Sequence, residues 1–272
     1  MKIGIFDSGL GGLFTMKTIV SALPDYDYVY LGDTVNLPYG DKDQEAICSF
    51  LQNGVEFLFQ QDCALIIVAC NTASAEALRY IQQTFLPKRY PDRRVLGVII
   101  PAVEESLGSD RVGVLGTVAT VKSKTYEKEF KKASTHIRVF QQEAPLLVPC
   151  IENGEWDLIP PLLKQYLKPL LEKKIDTLVL GCTHYPILKK EIREIIGPHI
   201  KLISQDEFIH VKVADYLRRH PEIESKLGKT GSRDFYLTQK TDHFEALAKE
   251  WFSQDIKLVV VTISDKITEQ AR

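Results

Sequence analysis

Short apolar runs recur along the chain and alternate with stretches of helical periodicity. The runs are rich in Val, Ile and Leu, which is typical of strands buried on both faces of a parallel sheet. Apolar residues recur at helical spacing in residues 76–81 and 187–195. Because strand and helix alternate, the chain is predicted to be an α/β protein. The predicted strands are residues 3–6, 28–31, 65–69, 95–99, 112–115, 137–140, 177–180, 235–238 and 258–263.

Two pairs of segments repeat at nearly the same offset. Residues 3–8 resemble residues 112–117, which lie 109 positions later, and residues 69–72 resemble residues 181–184 at an offset of 112. Each pair ends an apolar run, where α/β sheets carry their ligand-binding loops. Buried strands resemble one another in general, so the first pair alone would carry little weight. The second pair matches cysteine to cysteine, which favours two similar domains.

Length and charge narrow the class of protein. The 272 residues allow two domains or one large α/β domain. With 34 Lys and Arg against 36 Asp and Glu, the formal charge is −2, so we expect no nucleic-acid partner. Asp7 interrupts the first apolar run before a signal sequence could form, and no apolar stretch is long enough to span a membrane. We expect a cytoplasmic protein that does not bind membranes.

The five cysteines are expected to be free thiols, since none is spaced as C-x-x-C. Cys70 and Cys182 each follow a predicted strand and precede a helix start, where backbone N–H groups favour a thiolate. Asn71 or Thr72 is expected to cap the first of these helices. A single cysteine more often only packs in the core, and Cys48 and Cys63 are assigned to that role. Cys150 stays open.

Two further loops carry polar residues beside predicted strand ends. His184 follows Cys182 by two residues, but a metal site there lacks a second pair of ligands. The turn at residues 7–12, DSGLGG, matches neither dinucleotide nor P-loop patterns, and it suits a ligand that carries a carboxylate and an amine. The loop with Asp33, Thr34 and residues 38–40 is by itself best explained as a turn.

Five ordered blocks resemble the glutamate racemases of the aspartate/glutamate racemase superfamily. They read IFDSGLGGL (5–13), GDT to PYG (32–40), ACNTA (69–73), GT to TVKS (116–123) and LGCTHYP (180–186). The resemblance implies a cofactor-independent racemase that makes D-glutamate for peptidoglycan, and so for the cell wall and cell shape. It also implies two similar α/β domains related by pseudo-symmetry, with the active site in the cleft between them. Residues 1–97 with 208–272 would form the first domain, and residues 98–207 the second.

Racemisation needs a base on one face of the substrate Cα and an acid on the other. By the resemblance, Cys70 and Cys182 fill these roles, assisted by Asp7 and His184 respectively. Both assisting residues would also contact the substrate, glutamate. No metal is implied, and no cofactor fingerprint is found, although a lysine that holds pyridoxal phosphate stays open. The remaining implied substrate-binding residues are Ser8, Tyr39, Gly40, Asn71, Thr72, Thr117, Thr183 and Glu152.

The chain departs from the family pattern at two places. Ile100 stands where an acidic residue commonly precedes proline, and residues 204–207, SQDE, replace a segment that often contains Asp-Ser. We expect these changes to affect hinge and closure details. The alternatives are a racemase of aspartate or another acidic amino acid, and a non-catalytic amino-acid or partner-binding protein. A thiol hydrolase is less favoured, and a homodimer is left open.

Overall fold

The computed structural model describes residues 1–263, and its strands occur close to the predicted positions. All strand pairings are parallel. The strands are β1 (Lys2–Asp7), β2 (Tyr28–Gly32), β3 (Cys63–Val68), β4 (Arg94–Gly97), β5 (Arg111–Gly116), β6 (Arg138–Glu143), β7 (Thr177–Gly181), β8 (Lys201–Ile203), β9 (Arg233–Leu237) and β10 (Leu258–Val260).

Helices occupy the connections between these strands. A π-helical turn at Ile81–Phe85 joins two short helices, and 3₁₀ turns occur at Thr34–Asn36, Tyr39–Asp41, Trp156–Leu158 and Tyr185–Leu188. The α-helices are α1 (Gly12–Ala22), α2 (Gln44–Gln60), α3 (Asn71–Glu76), α4 (Leu78–Tyr80), α5 (Leu86–Arg89), α6 (Ile99–Glu105), α7 (Val118–Lys122), α8 (Thr125–Ala133), α9 (Leu147–Asn153), α10 (Ile159–Glu172), α11 (Lys189–Ile196), α12 (Gln205–Arg219), α13 (Pro221–Glu224) and α14 (Asp242–Phe252).

The strands form two parallel sheets, which confirms the predicted α/β class. One sheet has the order β10-β9-β2-β1-β3-β4 and the other has the order β6-β5-β7-β8. The order β2-β1-β3-β4 within the first sheet is repeated strand for strand by the second. The repeat seen in the sequence therefore corresponds to two sheets of the same topology, with β1 equivalent to β5 and β3 to β7. The domain boundaries themselves stay a prediction; the second, at 207/208, falls inside α12.

Strand order determines where a binding site can form. In each sheet, the strand that comes first in the sequence lies between the second and the third. The connections on its two sides therefore run in opposite directions. Such a reversal opens a crevice at the carboxyl ends of the strands. In the first sheet this point lies between the loops that follow β1 and β3. In the second it lies between the loops that follow β5 and β7.

The clearest differences between the sequence predictions and the structure are two strands that end early and one strand that was not predicted. Strand β4 ends at Gly97 and Ile99 begins α6, so the strand predicted at 95–99 is too long. Strand β10 ends at Val260, three residues before the predicted end. Strand β8 was missed, because three residues are too few to show a period.

The helix predicted over residues 76–81 is interrupted. Helix α3 ends at Glu76, and α4 begins at Leu78. Side chains from neighbouring helices donate hydrogen bonds to two backbone carbonyl groups here. Gln44 Nε2 donates to the Glu76 carbonyl oxygen at 3.0 Å, and Thr125 Oγ1 donates to the Ala75 carbonyl oxygen at 2.8 Å. A side chain that takes a helix carbonyl competes with the regular helical hydrogen bond. Helix α14 begins after Thr241, whose hydroxyl caps it by accepting the Phe244 N–H.

Helix α2 packs its apolar face on the first sheet. Ile47, Leu51, Val55 and Leu58 are fully buried at helical spacing. Gly54 lies on the same face, where a Cβ atom would come within 2.7 Å of Phe6 Cδ2. Glycine is therefore needed here for close packing. Among residues 1–263, no helix is both long and apolar enough to cross a membrane.

We expect Gly54→Ala to destabilise the protein by about 1–3 kcal/mol, because the added methyl overpacks the ring of Phe6. This cost outweighs the gain of about 1 kcal/mol that alanine brings to a helix interior. The measurement is the urea midpoint of unfolding. Ser49→Ala, at an exposed position of the same helix, is the control and should leave the midpoint unchanged or slightly raised. An equal response of the two variants would contradict the packing argument.

Candidate active site

Cys70 lies where the chain passes from β3 to α3, as the sequence predicts. It is itself the cap of α3, since its sulfur accepts a hydrogen bond from the Ala73 N–H at 3.4 Å. The expected caps, Asn71 and Thr72, are instead the first residues of the helix. The Cys70 thiol also lies 3.4 Å from Ser8 Oγ, to which it donates. The thiol is thereby linked to the loop after β1.

Cys182 occupies the equivalent position after β7 and has a different set of partners. Its sulfur lies 3.8 Å from His184 Nδ1. His184 Nε2 lies 2.9 Å from Glu152 Oε1, on helix α9. Trp251, from α14, packs edge-on against the His184 ring, with 5.6 Å between the ring centroids. Sequence reasoning did not identify Trp251, because its place beside His184 arises only from the tertiary fold.

Asp7 ends β1 and is completely buried. Its Oδ2 accepts the Gly9 N–H at 3.1 Å, while Oδ1 meets no donor at hydrogen-bond geometry among residues 1–263. Burial raises the pKa of Asp7, and the charge of His184 offsets part of that rise. An unpaired carboxyl oxygen of this kind is suited to receive a cationic group.

The two sheets meet tightly at these loops because of Gly11. A Cβ atom on Gly11 would lie 2.5 Å from Thr183 Oγ1 and 2.7 Å from His184 Nδ1. The sequence predicts that the glycine-rich turn at residues 7–12 binds a ligand. In the structure, this glycine allows the loop after β1 to approach the loop after β7, so its backbone contacts protein rather than solvent.

Three threonine hydroxyls connect the two sheets on another side of the site. Thr72 Oγ1 lies 2.9 Å from Thr117 Oγ1 and 3.2 Å from Thr120 Oγ1. Thr117 also caps α7. Thr120 begins the TVKS segment of the family resemblance, but no role in the site is predicted for it from the sequence.

The loop with Tyr39 and Gly40 lies against this threonine cluster. Tyr39 Oη donates to Asp33 Oδ2 at 2.6 Å, so its hydroxyl is already engaged by a neighbouring side chain. A Cβ atom on Gly40 would lie 3.0 Å from Thr117 Cβ. This loop therefore closes the site by packing onto the second sheet, rather than acting as an isolated turn.

Both cysteines line one small cavity of about 40 Å³ between the sheets. That volume holds about three water molecules, so the two edges lie close together. Asp7 and Glu152 are outside the lining, behind Cys70 and His184 respectively. The other ten predicted residues all line the cavity: Ser8, Tyr39, Gly40, Cys70, Asn71, Thr72, Thr117, Cys182, Thr183 and His184.

A larger cavity of about 1290 Å³ lies elsewhere, among α2, α6, α8 and α12. None of the twelve predicted site residues lines it. Its charged side chains are largely paired with one another, as Arg79 is with Glu129 and Lys212 with Glu104. Size alone is therefore a poor guide here, and the chemistry points to the smaller cavity.

Burial and local charge give the site groups different protonation behaviour. Burial, with the nearby Asp7 charge, raises the pKa of Cys70 to about 12. For His184, burial lowers the pKa, but hydrogen bonds with Cys182 and Glu152 raise it well above its ordinary value. The structure thus favours a neutral thiol at Cys70 and an imidazolium beside Cys182. The site thus contains groups that can give and accept protons at the ends of strands from both sheets.

Comparison with known proteins identifies relatives over the whole chain. The family model of the Asp/Glu/Hydantoin racemases matches residues 12–205. A glutamate racemase of Geobacter metallireducens is 43% identical over 222 residues, covering 79% of this chain and 80% of that protein. The crystal structure of a glutamate racemase isoform from Bacillus anthracis is 32% identical, with a TM-score of 0.87 and coverage of 96% and 97% of the two chains. The Francisella tularensis glutamate racemase, solved in complex with D-glutamate, is 32% identical, with a TM-score of 0.88 and coverage of 97% and 98%.

We expect Glu152→Gln to lower the pKa of His184, because the variant removes the carboxylate that stabilises the imidazolium. The raised pKa of His184 stabilises the fold below its unfolded value of about 6.5, and this contribution is lost as pH rises through the folded pKa. The difference in unfolding midpoint between wild type and variant should therefore be largest near pH 6 and shrink at alkaline pH.

NMR titration of the His184 ring measures the shift directly. Glu155→Gln is the control, because Glu155 is an exposed acid near the same helix that pairs with Cys150 instead. An unchanged His184 titration in Glu152→Gln would contradict the assignment of Glu152 as its stabilising partner.

Proposed function

This chain belongs to the Asp/Glu/Hydantoin racemase family, and from that premise we propose that it interconverts L- and D-glutamate without a cofactor. The thiols of Cys70 and Cys182 act as the acid and base, one on each face of the substrate Cα. The observation that carries the proposal is that two cysteines at equivalent positions of two like sheets line one cavity. Each has its own charged partner, Asp7 for Cys70 and His184 for Cys182.

The protonation states of the site groups suit a reaction that uses two bases. In one direction the Cys182 thiolate takes the Cα proton, and the Cys70 thiol donates a proton to the opposite face. A protonated His184 stabilises negative charge on the Cys182 sulfur, 3.8 Å from Nδ1. The raised pKa of Cys70 keeps its proton available. After one turnover the two sulfurs have exchanged roles, and the reverse reaction restores them.

The substrate itself would activate Cys70 as a base in the reverse direction. The negative charge of Asp7 contributes to the raised pKa of Cys70. Asp7 does not line the cavity, but a substrate ammonium in the cavity would offset that charge through space and favour the thiolate. Asp7 thus couples binding of the substrate ammonium to the pKa of the Cys70 thiol. This coupling is how Asp7 would assist Cys70.

Removal of the Cα proton also requires stabilisation of the charge that develops on the substrate carboxylate. Asn71 and Thr183 follow the two cysteines directly and supply donors on either side of the cavity. The hydroxyls of Thr72 and Thr117, which line the cavity, can rotate to donate to the substrate's side-chain carboxylate. Ser8, Gly40 and Tyr39 complete the wall, and Glu152 acts through His184.

Supply of D-glutamate for peptidoglycan and a cytoplasmic location form part of this proposal. Both rest on the family resemblance. Free thiols also fit a reducing compartment such as the cytoplasm. The competing substrate within the family is aspartate, which is one methylene shorter. A non-catalytic binding role is less well supported, because ligand binding alone would not require two thiols, one near an acid and the other beside an imidazole.

We expect Cys70→Ala and Cys182→Ala each to lower kcat/KM for glutamate racemisation by at least about 10²- to 10⁴-fold, because each removes one proton-transfer group. Circular dichroism measures racemisation, and mass spectrometry follows deuterium uptake at Cα in D₂O. Cys150→Ala, which replaces a buried cysteine outside the cavity, should retain activity. Full racemisation by either active-site variant would exclude the two-thiol mechanism, and tight glutamate binding by an inert wild type would support the binding role.

We expect glutamate to be turned over at least about 10-fold faster than aspartate, because a methylene contributes about 1–3 kcal/mol to discrimination. The measurement compares kcat/KM for both enantiomers of each acid. The chain should also support growth of a bacterium that requires external D-glutamate. Preference for aspartate together with failure to support growth would favour the alternative substrate.

A further inference from the structure

Gln205 is a buried glutamine with an unusual set of partners. It follows β8, begins α12 and is 3% exposed. Its Nε2 donates to Thr15 Oγ1 at 2.6 Å and to the Ala69 carbonyl at 3.3 Å, and its Oε1 accepts from Asn71 Nδ2 at 2.8 Å. The side chain therefore reaches from the start of α12 into the loop that carries Cys70.

The polarity of this network is determined by one backbone group. The Ala69 carbonyl can only accept, so the Gln205 atom that faces it must be the amide nitrogen. The Gln205 oxygen then faces Asn71, which fixes Nδ2 of Asn71 toward it. Asn71 Oδ1 is left to accept from Tyr126 Oη at 2.8 Å. Reversal of any one amide would place donor against donor or acceptor against acceptor.

Gln205 consequently holds both neighbours of Cys70. Ala69 is bound through its backbone carbonyl and Asn71 through its side chain. We propose that Gln205 is a positioning residue for the Cys70 loop, an inference that rests on the proposed function. It fixes the path of the chain on either side of the thiol and the direction in which the Asn71 amide faces the cavity.

The inference concerns a residue at the start of α12. Gln205 lies in residues 204–207, the segment that departs from the family pattern. Helix α12 packs against α1, which carries Thr15. The glutamine therefore connects the end of the second sheet to the first sheet's active loop, and its effect should reach Cys70 but not Cys182.

Gln205→Glu tests the role with a side chain of the same shape. An ionised carboxylate keeps an acceptor for Asn71 but cannot donate to Ala69, whereas a protonated carboxyl can donate one hydrogen bond there. We expect kcat for glutamate to fall about 10- to 100-fold at pH 8, as for a displaced catalytic group. The ratio of variant to wild-type kcat should recover as pH falls, because the introduced carboxyl then takes up a proton.

A second readout does not depend on activity. Alkylation by iodoacetamide, followed by peptide mass mapping, reports Cys70 and Cys182 separately. We expect the Cys70 rate to rise several-fold in Gln205→Met, which frees the loop without adding a negative charge that would disfavour the thiolate, while the Cys182 rate stays within about twofold of wild type. Gln165→Met, the same chemical change at an exposed position of α10, should alter neither rate.

The outcomes separate this inference from the proposed function. Wild-type kcat at every pH, or equal acceleration of alkylation at both cysteines, would overturn the positioning role. If Gln205→Glu fails to fold, the alkylation rates of Gln205→Met decide alone, and the inference fails unless Cys70 is accelerated and Cys182 is not. A wild type that does not racemise glutamate would refute the proposed function, while the alkylation pattern would still decide the role of Gln205.

Discussion

The site depends on one constraint, which is that charged side chains are buried between the carboxyl-terminal ends of the strands of two sheets. Asp7 is fully buried, and His184 is 2% exposed. Neither could remain ionised without partners at short range, because burial disfavours the charged form of both. Glu152 supplies that partner for His184 at 2.9 Å, and the charge of His184 in turn favours the ionised form of Asp7. The loops therefore have to be held close together, which explains why Gly11 lies against Thr183 and His184 with no room for a side chain.

Two sheets of the same strand order produce an active site whose halves differ in chemistry. Topology places Cys70 and Cys182 at equivalent strand ends, and both line the cavity between the sheets. The partners are not equivalent: an acid and a hydroxyl lie beside Cys70, and an imidazole lies beside Cys182. In the proposed reaction this asymmetry lets one thiol rest as acid and the other as base. The shared strand order supplies the like positions of the two thiols, and the different loops supply their different partners.

The same contacts that define the site also restrict entry to it. The cavity between the sheets is about 40 Å³, and Thr72 and Thr117, which both line it, are joined by their hydroxyls. A substrate with ten non-hydrogen atoms needs more room than about three waters. In the proposed reaction the edges therefore separate to admit glutamate, and hydrogen bonds such as that between Thr72 and Thr117 are exchanged for contacts with the substrate. Each of the bonds is of the kind that contributes only about 1 kcal/mol net, so the exchange is thermodynamically modest.

The sequence by itself determined the fold class, most strand positions and the two cysteine loops, because these depend on local apolar periodicity and on residues adjacent in the chain. It also indicated the repeat, through the matched cysteines. Only the tertiary structure decided that Cys70 rather than Asn71 caps α3, that the helix after Glu76 breaks, and that Glu152 stands behind His184. Gln205 and Tyr126 likewise meet Asn71 from positions 134 and 55 residues away. Such contacts are set by how two sheets pack against each other, and no local pattern in the chain encodes them.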